Sequence, residues 1–222
     1  MNQIDWLNGW EKFELSITTY CQAKCPLCAR ISQQTGKFKD FLSLIHTDFH
    51  ILNRLIDDIA KYTLTKYVQI CGDYGDPLMH PDIEKIIDKI NEHNMIATIH
   101  TNGGIRNELF YKEIAKKKVI IIFGIDGIDE NTNSKYRIGV NFDKAMKNML
   151  TFAKAVNNKK QVVWDFLVFD YNTEQLDKAL EIANNNNIQI CFRINKRSWI
   201  HKINDKNLIK QINIKYKDFM IG

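Results

Sequence analysis

Nothing in this sequence is apolar for long enough to cross a bilayer. The longest apolar run is VIIIFGI at 119–125, far short of the ~20 residues a spanning helix needs. The first residues, MNQIDWLNGWEKFE, carry Asp5, Glu11 and Glu14 and no sustained apolar core. No secretory leader is therefore expected, and the default address is cytoplasmic. Linkers and low-complexity tracts are also missing. NNNN at 184–187 reads as a helix exit, and one domain over 1–222 is expected, with its core at about 13–195. Strong charge of one sign is absent: 31 Lys and Arg stand against 26 Asp and Glu, a formal +5. The excess gathers in a tail over about 196–222. From Arg193 onward, Lys196, Arg197, Lys202, Lys206, Lys210, Lys215 and Lys217 face only Asp205 and Asp218. Such a tail reads as a solvated basic face, and a nucleic-acid partner is not expected. Finally, the five cysteines are an odd number, which excludes an evenly paired disulfide framework.

What is present is a core-forming composition, 45% hydrophobic and 26% charged, ordinary for a soluble globular protein. Three of the five cysteines crowd into TTYCQAKCPLCAR, residues 18–30, as Cys21, Cys25 and Cys28. In a cytoplasmic protein such a cluster points to metal binding or redox chemistry. Soft thiolates suit zinc, copper(I) and iron–sulfur centres. A structural zinc site wants four protein ligands, and most iron–sulfur clusters take four cysteines. Three ligands leave a metal position open for chemistry. Pro26 stiffens the loop that must turn the three sulfurs inward. The bland alternative is a zinc site completed by His46, His93 or His100, in a binding module without catalysis.

Strand-like and helix-like segments alternate along the chain. Strands are expected at 13–19, 66–72, 95–101, 119–126, 161–169 and 188–194. Helices are expected at 49–62, 80–94, 107–118, 142–158 and 172–187, with Thr47 or Asp48 capping the first. Pro81 should sit in the first turn of the second helix, and Asn172 with Gln175 should form a capping box for the last. Alternation of this kind implies a parallel sheet. Six strands cannot close an eight-stranded barrel, so a partial (β/α)6 barrel, a partial TIM barrel, is expected over a flat doubly wound sheet. The unusual residues all follow strands: the cysteines after the first, GDYGDP (72–77) after the second, TNGG (101–104) after the third, and DGIDENTNSKYR (126–137) after the fourth. Ligands bind at the C-terminal ends of parallel strands, so every one of these segments belongs to one rim.

A C-x3-C-x2-C loop directly after a first strand resembles the radical S-adenosylmethionine (radical SAM) enzymes. The resemblance implies that Cys21, Cys25 and Cys28 hold a [4Fe-4S] cluster whose fourth iron is chelated by S-adenosyl-L-methionine. GDYGDP resembles the glycine-rich segment, commonly G-G-E-P, that holds the methionine ammonium. Gly72 and Gly75 would let the backbone approach, and Asp73 and Asp76 could accept from the ammonium, although Tyr74 departs from the common motif. HTNGG resembles the family's T-N-G, which implies that Thr101 and Asn102 line the pocket. In the strand-four segment the resemblance puts Asp126 near the ribose or substrate and Arg137 on the cosubstrate carboxylate, a bidentate contact suited to arginine. Leu27 occupies a place that packs near the adenine. The activity implied is reductive cleavage of the cosubstrate to a 5′-deoxyadenosyl radical that abstracts hydrogen from a peptide, sugar or other small molecule. The electron would come from a donor such as flavodoxin or ferredoxin.

Relatives sharing the D-G…Y-R pattern often carry further cysteines for auxiliary clusters. Here only Cys71 and Cys191 remain, 120 positions apart, too few for a second cluster, so an oxidoreductase with auxiliary clusters is disfavoured. Both read as buried core thiols, with a minor alternative in which Cys191 gives hydrogen to a substrate radical. Trp164, Asp165 and Arg193 on the last two strands are candidates for the substrate pocket, but parallel strands are buried on both faces and show no parity.

Overall fold

The computed structural model describes residues 12–32, 34–196 and 201–221. The opening residues 1–11 and Arg197 of the basic tail lie outside these. Six strands form one parallel sheet in chain order: β1 (Lys12–Leu15), β2 (Tyr67–Ile70), β3 (Ile96–Thr101), β4 (Val119–Gly124), β5 (Val162–Val168) and β6 (Gln189–Ile194). An order that never reverses, joined by right-handed crossovers, places every connecting helix on one face. The sheet curls around its other face as an open partial (β/α)6 barrel, the architecture expected from the alternation.

The helices are α1 (Phe49–Tyr62), α2 (Ile83–Glu92), α3 (Glu108–Ile114), α4 (Glu130–Asn133), α5 (Phe142–Ala155), α6 (Leu176–Asn185) and α7 (Lys206–Lys215). Each long one turns an apolar stripe to the sheet. In α2 that stripe is Ile83, Ile86, Ile87 and Ile90, all buried, at the three- and four-residue spacing of one helix face. Burial of each such side chain contributes about 1.5–3 kcal/mol. Opposite them, Val119, Ile121 and Phe123 of β4 and Val162, Trp164 and Phe166 of β5 pack outward into the same core. The alternate residues Ile120, Ile122, Val163 and Cys191 form a smaller cluster on the concave face.

Three local expectations are corrected. Pro81 precedes the N-cap Asp82 and is not in the first turn of α2, since His80 closes the preceding 3-10 turn at Pro77–Met79 and the helix begins at Ile83. The capping box at Asn172 does not form. The Asn172 side chain is buried, accepting from Phe169 N at 2.7 Å and donating to Asp126 O and Leu167 O at 3.0 Å each. The amide is thus turned to Phe169, Asp126 and Leu167 and makes no bond to a helix end, and α6 starts at Leu176. The tail is more than a solvated face. Its lysines are exposed, but Ile203, Ile212 and Tyr216 enter the core, Tyr216 Oη donates to Asp177 at 2.8 Å, and Met220 bridges to Phe192 beside β6. The α1 cap is Asp48, which accepts from His50 N at 2.7 Å.

Candidate active site

The chain leaves β1 at Leu15 and is steered by an antiparallel contact with residues 45–47. Thr47 N donates to Ile17 O at 2.9 Å and Thr19 N to Ile45 O at 3.0 Å. His46 is held there, its Nδ1 2.8 Å from Thr18 Oγ1 and its ring stacked on Tyr20 at 4.4 Å. The cysteine loop then folds through two tight turns, Cys28 N to Cys25 O at 3.0 Å and Ile31 N to Cys28 O at 2.9 Å. It is tied to the rest of the rim at two points. Lys24 N donates to Ile138 O at 2.8 Å, and Gln22 Nε2 donates to Asn102 Oδ1 at 2.7 Å.

The segment after β2 makes the closest approach. A Cβ on Gly72 would lie 1.6 Å from Gly75 O, and one on Gly75 would lie 2.2 Å from Thr18 O. Only glycine fits either position. The turn presents Asp76, a buried carboxylate, to the end of β3. It accepts from Thr101 Oγ1 at 2.9 Å, Asn102 N at 2.9 Å, Asn102 Nδ2 at 2.7 Å and Leu78 N at 3.1 Å. With its oxygens so engaged, Asp76 organises the rim, and Asp73 is the exposed carboxylate of the segment. At the end of β4, Arg137 Nε donates to Asp126 Oδ2 at 2.6 Å. Asp126 is fully buried and also accepts from Leu167 N at 2.9 Å. The guanidinium lies flat across Gly124, where a Cβ would come within 2.6 Å of Nη2.

These segments enclose one cavity of about 500 Å³. Cys21, Cys25, Leu27 and Cys28 line it, with Gly72, Asp73, Gly75 and Asp76, then Thr101, Asn102 and Arg137. Asp126 stands behind Arg137, outside the lining. Arg30 and Tyr136 join them, as does His100, named above only as a zinc ligand, and Cys71, which is not a buried core thiol but part of the lining. Asp165 and Arg193, ion-paired to one another, face the cavity from β5 and β6. Trp164 does not reach it, its indole Nε1 donating outward to Ile125 O at 2.8 Å. Cys191 is 3% exposed and lies below the lining, whereas Cys71 lines it, with Sγ 2.7 Å from Glu14 Oε1.

The donor set fits a polynuclear centre. Burial, with Asp76 adding, pushes the Cys21 thiol up to about 12. Burial likewise raises Cys25, against the pull of Arg137. Thiols this unwilling to ionise alone are deprotonated by coordination to a metal. Among the described residues, the set of three metal-binding side chains whose ligand atoms lie within 4.8 Å of one another is Glu14, Cys71 and Asp73, not the loop cysteines. Zn–S bonds of 2.3 Å would bring tetrahedral sulfurs to about 3.8 Å apart, and the three loop thiols as placed here are not gathered that closely. His46 and His93 are otherwise engaged, the latter at 2.7 Å from Asp57, whereas His100 lines the cavity with its Nε2 buried and, among the described residues, without a hydrogen-bond partner. Among the described residues the buried Arg30 Nε has no hydrogen-bond partner, a spare donor beside the cysteine loop.

A curled parallel sheet with an open three-thiolate loop at its C-terminal rim is the frame of a cofactor enzyme. The chain belongs to the radical SAM superfamily, whose sequence profile matches residues 15–183. A curated relative from Pyrococcus furiosus, the tungsten-containing aldehyde ferredoxin oxidoreductase cofactor-modifying protein, is 22% identical over 167 residues, 73% of this chain and 45% of its own. Among solved structures, Streptococcus suis SuiB bound to S-adenosylmethionine matches with a TM-score of 0.75 at 16% identity, over 94% of this chain and 47% of its own. Native anSMEcpe with bound AdoMet matches at 0.67 and 14% identity, over 93% and 62%. The chain thus spans about half the length of the relatives it resembles in fold. Among the described residues, no helix is long and apolar enough to cross a membrane.

Proposed function

We propose that this chain reductively cleaves S-adenosyl-L-methionine and uses the resulting 5′-deoxyadenosyl radical to abstract hydrogen from a substrate bound in the same cavity. The observation that carries this reading is the convergence of the cysteine loop, the Gly72–Gly75 turn and Arg137 on one cavity. Cys21, Cys25 and Cys28 would hold a [4Fe-4S] cluster, which supplies the electron when bound. The residues around it bind and orient. Asp73 and the backbone of the Gly72–Gly75 turn are placed to receive an ammonium. Arg137, oriented by Asp126 through Nε, keeps its outer nitrogens for a carboxylate. Thr101 and Asn102, locked by Asp76, shape the wall, and Leu27 offers an apolar edge for the adenine.

The floor, with His100, Asp165 and Arg193, would receive the substrate. SuiB has been seen bound to its precursor peptide SuiA and anSMEcpe to the Cp18Cys peptide. These neighbours support a peptide as the first substrate class to try, and a small molecule as the second. A reductant protein such as flavodoxin or ferredoxin would serve as donor. Anaerobic purification and reconstitution test the reading. A brown protein with four irons and sulfide that forms 5′-deoxyadenosine under dithionite supports it. A colourless protein with stoichiometric zinc and no reconstitutable cluster would refute it in favour of a zinc-bound binding module.

A further inference from the structure

The binding of cosubstrate does not explain the placement of Arg30 in the cysteine loop. The residue is 3% exposed. Its Nη1 donates to Cys21 O at 3.1 Å and to Ala23 O at 3.4 Å. The guanidinium lies 4.8 Å from the centroid of the Phe38 ring. The hairpin-like return of the chain holds that ring in place, with Ile31 bridged to Phe38 and Lys39 N donating to Arg30 O at 3.0 Å. Arg30 also lines the cavity, and among the described residues its buried Nε has no hydrogen-bond partner.

A buried guanidinium is costly unless an anion accompanies it. Among the described residues no carboxylate pairs with Arg30; its acceptors are two backbone carbonyls. Its Nη1 sits on the Cys21 carbonyl at 3.1 Å, so its charge lies beside the loop whose sulfurs would hold the cluster. Three thiolates around a [4Fe-4S] centre carry net negative charge, which deepens by one when an electron arrives. A fixed cation in a low-dielectric wall stabilises the more negative state.

We propose that Arg30 is a positioning residue for the cluster. It clamps the Cys21–Ala23 backbone so that the first thiolate faces the cavity, and its charge holds the reduction potential of the centre up. This rests on the cluster reading given above. The structural role alone would be served by any donor to the two carbonyls. The electrostatic role needs the charge.

The test uses anaerobically reconstituted wild type, Arg30→Gln and Arg30→Lys. The measurements are iron and sulfide content, the midpoint potential of the cluster from a redox titration followed by electron paramagnetic resonance, and the melting temperature of each apoprotein. Arg30→Gln is expected to load less iron and to titrate at a more negative potential. Arg30→Lys, keeping the charge, should titrate close to wild type. Equal potentials in wild type and Arg30→Gln would overturn the proposal. Should both variants fold with wild-type melting temperatures yet hold no cluster, the electrostatic role would be refuted, because lysine preserves the charge. A wild type that itself takes up no four-iron centre would refute the functional reading, and this proposal with it.

Discussion

At the scale of single residues, the five cysteines divide by environment. Cys21, Cys25 and Cys28 face the cavity, whereas Cys191 is buried against Ile120, Ile122 and Val163. Ligands of one centre act as a unit, so Cys25→Ala should lose both iron and 5′-deoxyadenosine formation. Cys191→Ala should keep both and cost at most about 1–2 kcal/mol of stability. Iron analysis with a cleavage assay checks the pair; full activity in Cys25→Ala would break the ligand assignment. Asp126 offers a second residue-scale prediction. Its carboxylate is fully buried, while Arg137 is 21% exposed. Removing one partner of a buried ion pair typically costs about 3–5 kcal/mol, and the partial exposure of Arg137 places Asp126→Asn near the lower end, about 3 kcal/mol. Denaturant melts of the apoprotein read the stability. Calorimetry should show weaker S-adenosylmethionine binding, since Arg137 is no longer held across Gly124.

Elements come together here through loops more than through helices. The turn after β2 is built on two glycines that touch backbone, and Asp76 ties it to β3 while Gln22 and Asn102 tie β3 to the cysteine loop. A methyl group at Gly72 meets Gly75 O, a backbone atom that cannot step aside. Gly72→Ala should therefore open the turn, costing about 2 kcal/mol or more. Because the same turn carries Asp73, the dissociation constant for S-adenosylmethionine should rise at least tenfold, while iron loading stays near wild type. Unchanged affinity would show that this turn does not touch the cosubstrate. The failed capping box at Asn172 belongs to this scale too. Its sequence pattern is sound, but the amide closes the exit of β5 instead.

For the molecule as a whole, the buried floor makes stability depend on pH. Burial lowers His100 from 6.5 to about 4, with Asp165, Glu14, Arg193 and Lys12 as the charges that face it. Between those values the unfolded chain binds a proton that the folded one refuses. The contribution is complete above pH 6.5 and is lost as pH falls towards 4. At pH 5 the loss is about 2 kcal/mol, which for a chain of this size is about 4–8 °C in melting temperature. Melting the apoprotein from pH 7 to pH 5 beside His100→Gln isolates this share. The variant should fall less steeply, and parallel curves would remove His100 as the cause.

The sequence by itself determined the thiolate loop, the six-fold alternation and the order of the rim segments. Each is written within a few neighbouring residues: ligand spacing, helical periodicity, glycines at a turn. Only the tertiary structure decided which inner residues meet the cavity. Asp165, Arg193, His100 and Cys71 face it, while Trp164 points into the helical layer. The reason is that strands buried on both faces carry no alternation of polar and apolar residues, so parity becomes visible only when the sheet curls. Tertiary structure likewise made Asp76, which lines the cavity, the knot of two loops. It also buried Arg30 behind the first cysteine. Both outcomes depend on partners at least seven residues away in the chain, at Ala23 for Arg30 and at Thr101 and Asn102 for Asp76, and no local pattern records contacts at that range.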